Sequence, residues 1–84
     1  MLRVIVLYDI SADRTRTAVC DICKDYGLDR EQYSVFSGML RTRQVRALAK
    51  ELRHQTRDGG HVLVIPVDAD NWDRRIELGG ALHG

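Results

Sequence analysis

"LRVIVLYDIS", residues 2 to 11, decides how this chain folds. Residues 2 to 8 read as a strand, and Arg3 alone interrupts the apolar run. A strand that is apolar on both sides is one whose two faces are covered. Asp9 follows at the strand exit, although aspartate is depleted in strands. Two roles compete for it. Either it braces the turn into the next element, or it holds a metal ion.

Working outward, Ser11 or Asp13 caps a helix. Its apolar positions Val19, Ile22, Cys23 and Tyr26 share one face, and Gly27 ends it. Residues 30 to 40, "REQYSVFSGML", are extended, as one bent strand or a short hairpin, and Gly38 suggests a bend or bulge. Thr42 caps a second helix that runs to about Arg57. Val45, Leu48, Ala49 and Leu52 form its core stripe at i, i+3, i+4 and i+7, and Gly59-Gly60 closes it. "HVLVIPV", residues 61 to 67, is again apolar on both faces, and Pro66 pushes it toward an edge or a strand end. "DADNWD" reads as a turn, "RRIELG" at 74 to 79 as a short last strand, and residues 80 to 84 as a loose tail.

This order predicts an α+β fold: a single ferredoxin-like βαββαβ sandwich over residues 1 to 84, with an extra C-terminal strand. Its two helices cover one face of the sheet. The other face would expose a large apolar patch, which soluble monomers avoid. A sheet-to-sheet homodimer is the simplest remedy. Size points the same way, because 84 residues bury only about 60–65% of the unfolded surface.

Composition excludes several classes. Charged residues are 30%, apolar residues 44% and the net charge +1, an ordinary soluble balance. No run approaches the roughly 18 apolar residues of a membrane helix, and the chain starts inside a strand with no signal pattern, so a cytoplasmic protein is expected. Cys20 and Cys23 form one CxxC. Zinc wants four ligands and a redox pair wants a helix N-terminus, whereas this pair falls mid-helix, where packing is its role. His54, His61 and His83 are not spaced as a metal pair or an evident general base, and read as structural or solvated. "DADNWDRRIEL" lacks the glycine at position 6 and the glutamate at position 12 of a calcium loop. Trp72 within it either packs or anchors a partner.

Eleven of the 13 basic residues are arginine. Arg43, Arg46, Lys50, Arg53 and Arg57 recur at i, i+3, i+7, i+10 and i+14, one stripe along the second helix. Such a stripe can follow a phosphate backbone with salt-dependent affinity; the alternative is a solvated face. Glu51 is the helix's one acid and lies off the stripe. As for Asp9, Mg²⁺ takes hard oxygen ligands and keeps several waters, and it can activate water against a phosphodiester. One carboxylate per chain is a poor site; two brought together across a two-fold axis make a plausible one, with Ser11 and Asp13 nearby.

The segments "LYDIS", "GLDREQYSVFSGML" and "VLVIPV" together resemble the Cas two family of small CRISPR-associated proteins, over roughly residues 2 to 79. The resemblance implies a homodimer with facing sheets, whose C-terminal strand reaches across to the other protomer. It implies Asp9 as the metal ligand and catalytic residue, with Mg²⁺ or Mn²⁺ as the ion. It ties Tyr8, Arg16, Arg30, Ser34 and Phe36 to nucleic-acid chemistry, while a further basic position of the family is Ala18 here. The implied function is a subunit of CRISPR spacer acquisition that binds prespacer duplex DNA, or RNA, and scaffolds the CRISPR integrase. A metal-dependent endonuclease activity accompanies it in some members. The alternative is a stand-alone toxin-type ribonuclease of the same fold.

Overall fold

A computed structural model describes residues 1–79 as β1 (Leu2–Asp9), α1 (Asp13–Asp25), β2 (Asp29–Gln32), β3 (Val35–Leu40), α2 (Thr42–Gln55), β4 (His61–Val67) and α3 (Ala69–Asp73). The strands form one antiparallel sheet in the order β2-β3-β1-β4. This is the ferredoxin-like arrangement that the order of elements implies. The loose tail expected at 80 to 84, with His83, lies outside the described residues.

Strand periodicity sorts the side chains. Val4, Val6 and Tyr8 point to the helices and are buried, together with Phe36 and Leu40 from β3. Val19, Cys20 and Cys23 of α1 and Leu48 and Leu52 of α2 complete that core. The opposite face carries Ile5, Leu7, Leu63 and Ile65 in cross-strand register. Leu63 is 46% and Ile65 37% exposed, and Met39 on the same face is 44% exposed. The bare apolar face expected from the sequence is therefore present in the single chain.

Of the two alternatives for residues 30 to 40, the hairpin is present, with Tyr33 and Ser34 as its turn. Several other local expectations are corrected. The irregularity lies between Arg30 and Gln32 on β2, not at Gly38, which pairs regularly with Val4. Gly38 has a different reason: a Cβ there would lie 2.8 Å from the Leu28 side chain and 3.3 Å from its Cα, so only glycine lets that segment cross β3. Neither Ser11 nor Asp13 caps α1. The N-cap is Ala12 with no side-chain cap, and Asp13 is in the first turn. Thr42 likewise falls inside α2, after the N-cap Arg41, whose backbone N–H donates to Gln44 Oε1 at 2.8 Å. Gly27 ends α1 as expected. With φ at +78° it lets its own N–H reach the Lys24 carbonyl and the Leu28 N–H reach that of Cys23, the paired bonds of a Schellman stop.

The turn expected at 68 to 73 is the short helix α3, because Asp68 accepts the Asn71 backbone N–H at 2.7 Å. The last strand expected at 74 to 79 is not formed. A strand needs a neighbouring edge for its N–H and C=O groups, and among the described residues no edge pairs with this segment. Instead α3 and the residues after it lean over part of the bare face. Between them and the sheet lies a cavity of about 620 Å³. Trp72 sits there with the guanidinium carbons of Arg3 and Arg75 at 4.3 and 4.2 Å from its ring centroid, so it packs within its own chain.

Candidate functional site

Three elements end together: the exit of β1, the start of α1 and the β2–β3 turn. The Tyr8 N–H donates to the Ser34 carbonyl at 3.1 Å, and the Tyr8 hydroxyl donates to the Tyr33 carbonyl at 3.2 Å. The rings of Tyr8 and Phe36 stack with centroids 6.3 Å apart. Arg30 lies over this pair, 5.2 Å from the Phe36 centroid, and donates to Cys20 Sγ at 2.9 Å. Four of the five positions drawn from the resemblance thus form one contiguous group. Phe36 is fully buried and Tyr8 nearly so; they seat Arg30 and offer no surface of their own.

Arg16, the fifth, does the work that the turn reading gave to Asp9. Its guanidinium donates to the carbonyls of Ile10 at 3.1 Å and Ser11 at 3.3 Å and pairs with Asp13. That pairing, with smaller contributions from Tyr33, holds the guanidinium charged. The strand-to-helix turn is braced by an arginine, and Asp13 is committed to that arginine.

Asp9 is exposed, and among the described residues no ion pair engages it. It lines a cleft of about 530 Å³ with Ser11, Thr15, Asp58 and His61. His61 lies directly opposite it in the β1–β4 register. Spacing along the chain does not show this neighbour, which is set by strand pairing; its sequence signal is an apolar run starting with His that pairs with a strand ending in Asp. No group of three or more His, Cys, Asp or Glu residues could hold a metal among the described residues. A free carboxylate among hydroxyl and carboxylate oxygens has the hard-donor chemistry that Mg²⁺ prefers, but one chain supplies only part of a coordination shell.

The basic stripe is as expected for Arg43, Arg46, Lys50 and Arg53, but α2 ends at Gln55 and not near Arg57, which lies in the following turn. Arg43, Arg46, Lys50, Arg53 and Arg57 are all exposed. Arg57 has Asp58 at 3.8 Å, both largely solvated, and such pairs contribute only about 0–1 kcal/mol, so this contact does not cancel the charge. Glu51 is engaged by the Tyr26 hydroxyl of α1, and that bond, with lesser burial, pushes the phenol up to about 12.

The two cysteines are free and buried, as the packing role requires. Burial first, then Cys20, pushes the Cys23 thiol from 9.0 up to about 12. An unfolded thiol ionises near its ordinary value and the folded one does not. This contribution to stability is therefore complete below pH 9 and is lost as pH rises from about 9 to about 12. Thermal melts should show a falling midpoint in that window, and Cys23→Ala should flatten it at a cost on the order of 1 kcal/mol. The tyrosines Tyr8 and Tyr26 are also raised, from 10.0, so the variant should depart from wild type first between pH 9 and 10. Identical alkaline limbs would show that Cys23 is not responsible.

The fold and this end of the sheet define a class: a small ferredoxin-like protein with one bare sheet face and an exposed carboxylate at the exit of its first strand. The chain belongs to the CRISPR associated protein Cas2 family, whose model matches residues 1–75. It is 43% identical over 79 residues, 89% of this chain and 91% of the other, to a CRISPR-associated endoribonuclease Cas2 of Chloroflexus aurantiacus. A Cas1/Cas2 endonuclease fusion of Thermoproteus tenax is 34% identical over 76 residues, which are 89% of this chain and 29% of that one. The crystal structure of Cas2 from Streptococcus pyogenes superposes with a TM-score of 0.74 at 25% identity, covering 93% of this chain and 99% of that one. No described helix is long and apolar enough to cross a membrane.

Proposed function

We propose that this chain is a cytoplasmic subunit of CRISPR spacer acquisition, a homodimer that holds the CRISPR integrase and a prespacer duplex in fixed relation. The observation that carries this is the α2 stripe: four exposed cations, Arg43, Arg46, Lys50 and Arg53, along one side of the helix, with Arg57 exposed in the turn beyond it and the helix's only acid engaged elsewhere. In a two-fold dimer the stripe is doubled, which suits a long duplex. The joining of Cas1 and Cas2 in one relative supports an integrase as partner. Buried free thiols suit a reducing compartment.

Within the same reading, two Asp9 carboxylates meet near the dimer axis and hold Mg²⁺ or Mn²⁺, and the naming of relatives as endoribonucleases supports phosphodiester cleavage there. The ion would polarise the phosphate and lower the pKa of a bound water. This chain's own part is to present the carboxylate free of the turn, which Arg16 makes possible by bracing the backbone itself.

Duplex binding tests the stripe. Reversing Arg46 and Arg53 to Glu should weaken binding for every sequence alike, because phosphate contacts carry no sequence information. The plot of log affinity against log salt should flatten by about 0.9 for each phosphate that is no longer neutralised. Titration of a fluorescent duplex at several salt concentrations reads both. Unchanged affinity and slope would reduce the stripe to a solvated helix face, and a duplex failing to bridge this protein and an integrase would remove the scaffolding role.

A further inference from the structure

The β2–β3 turn carries a side chain that the core does not use. Tyr33 is 58% exposed and stands outside the buried cluster. Its backbone is fixed, since its carbonyl accepts the Tyr8 hydroxyl. Two arginines attend it. The Arg30 guanidinium is 5.5 Å from the ring centroid and is itself seated on buried Phe36 and on Cys20. Arg16, pinned to the Ile10 and Ser11 carbonyls, is close enough for the Tyr33 hydroxyl to help hold it charged, after Asp13. The ring is thus exposed beside an anchored guanidinium, and the core does not use it.

Bases stack on such rings irrespective of sequence, because each has a π-face, while arginines nearby take the flanking phosphates. A base inside a duplex has both faces occupied by its neighbours and cannot use the ring; an unpaired base can. We infer that Tyr33 is a stacking platform for one unpaired base of a single-stranded nucleic acid, whose adjoining phosphates lie against Arg16 and Arg30. The inference rests on the chain being a nucleic-acid binder. It concerns the hairpin tip, however, and not the α2 stripe assigned to the duplex.

Fluorescence anisotropy with labelled oligonucleotides separates the possibilities. The probes are a short RNA single strand, the DNA strand of the same sequence, each strand with a central run of abasic nucleotides, and a DNA duplex. Tyr33→Ala should weaken binding of the natural single strands roughly 5- to 150-fold, the span of one base–aromatic stack. Tyr33→Phe should retain wild-type affinity, since the ring remains. The abasic strands and the duplex should bind wild type and Tyr33→Ala alike. A loss with RNA, DNA or both supports the platform and identifies the sugar it accepts. Equal binding of natural strands by wild type and the alanine variant overturns it, as does an equal loss on natural and abasic strands. Wild type that binds the duplex but no single strand overturns the platform and leaves the duplex reading standing; failure to bind any nucleic acid removes both. Tyr33 lies on an exposed turn, so unchanged circular dichroism should accompany every variant.

Discussion

Asp9→Asn should reduce Mg²⁺- or Mn²⁺-dependent cleavage of RNA or DNA by more than about 100-fold, the most that loss of a group merely supporting a metal ligand usually costs. The amide is nearly isosteric but carries no charge, so a hard cation loses its anionic donor. The fold should be untouched. Asp9 is exposed, and the turn after it is held by Arg16 through the carbonyls of Ile10 and Ser11. Duplex binding should also persist, because its proposed surface is α2. Cleavage assays with each metal, beside Mn²⁺ titration followed by electron paramagnetic resonance, separate loss of the ion from loss of chemistry. Undiminished cleavage in a folded variant would end the metal-site mechanism. An unfolded variant would show instead that Asp9 braces the turn. Wild type without cleavage would leave binding as the protein's role.

Leu63→Asp combined with Ile65→Asp should convert the proposed dimer wholly to monomer. Both side chains lie on the bare face, side by side with Leu7 and Ile5 across the β1–β4 register. Each is already partly exposed in the single chain, so a charge there costs the monomer little. Pressed against a second sheet, the same carboxylates would be unpaired and dehydrated, at a cost of several kcal/mol per ion. That exceeds what one or two apolar contacts can offset, since fully burying a leucine or isoleucine contributes only about 1.5–3 kcal/mol. Sedimentation of wild type at micromolar concentration should give twice the 9.6 kDa chain mass, and the variant 9.6 kDa. Wild type that sediments as a monomer would mean that the bare face is tolerated in water, and a variant that remains a dimer would place the contact elsewhere.

The core helix–sheet layer was legible because it depends on short-range periodicity. The apolar run of residues 2 to 8, the i, i+3, i+4, i+7 stripe of Val45 to Leu52, and the Gly27 stop each involve neighbours within a few positions. The basic stripe was readable for the same reason. Asp9 stood out because an acid at the end of an apolar strand conflicts with its surroundings. Helix starts were less legible: Ser11, Asp13 and Thr42 are all good caps by type, yet the chain begins its helices at Ala12 and Arg41. Side-chain identity sets a preference of about 1 kcal/mol, which the path of the incoming strand overrides.

By itself, then, the sequence determined which helix residues face the core, which helix face is cationic and that one sheet face is left apolar, since all of these follow from local period and polarity. Only the tertiary structure decided what each polar group does. It gave Arg16 the turn that Asp9 was a candidate to brace, set His61 opposite Asp9, and gathered Tyr8, Arg30, Ser34 and Phe36 behind an exposed Tyr33. It also left residues 74 to 79 without a strand, because a strand exists only where another edge meets it. These outcomes depend on the register of strands far apart in the chain, and a one-residue slip in register would exchange every such neighbour.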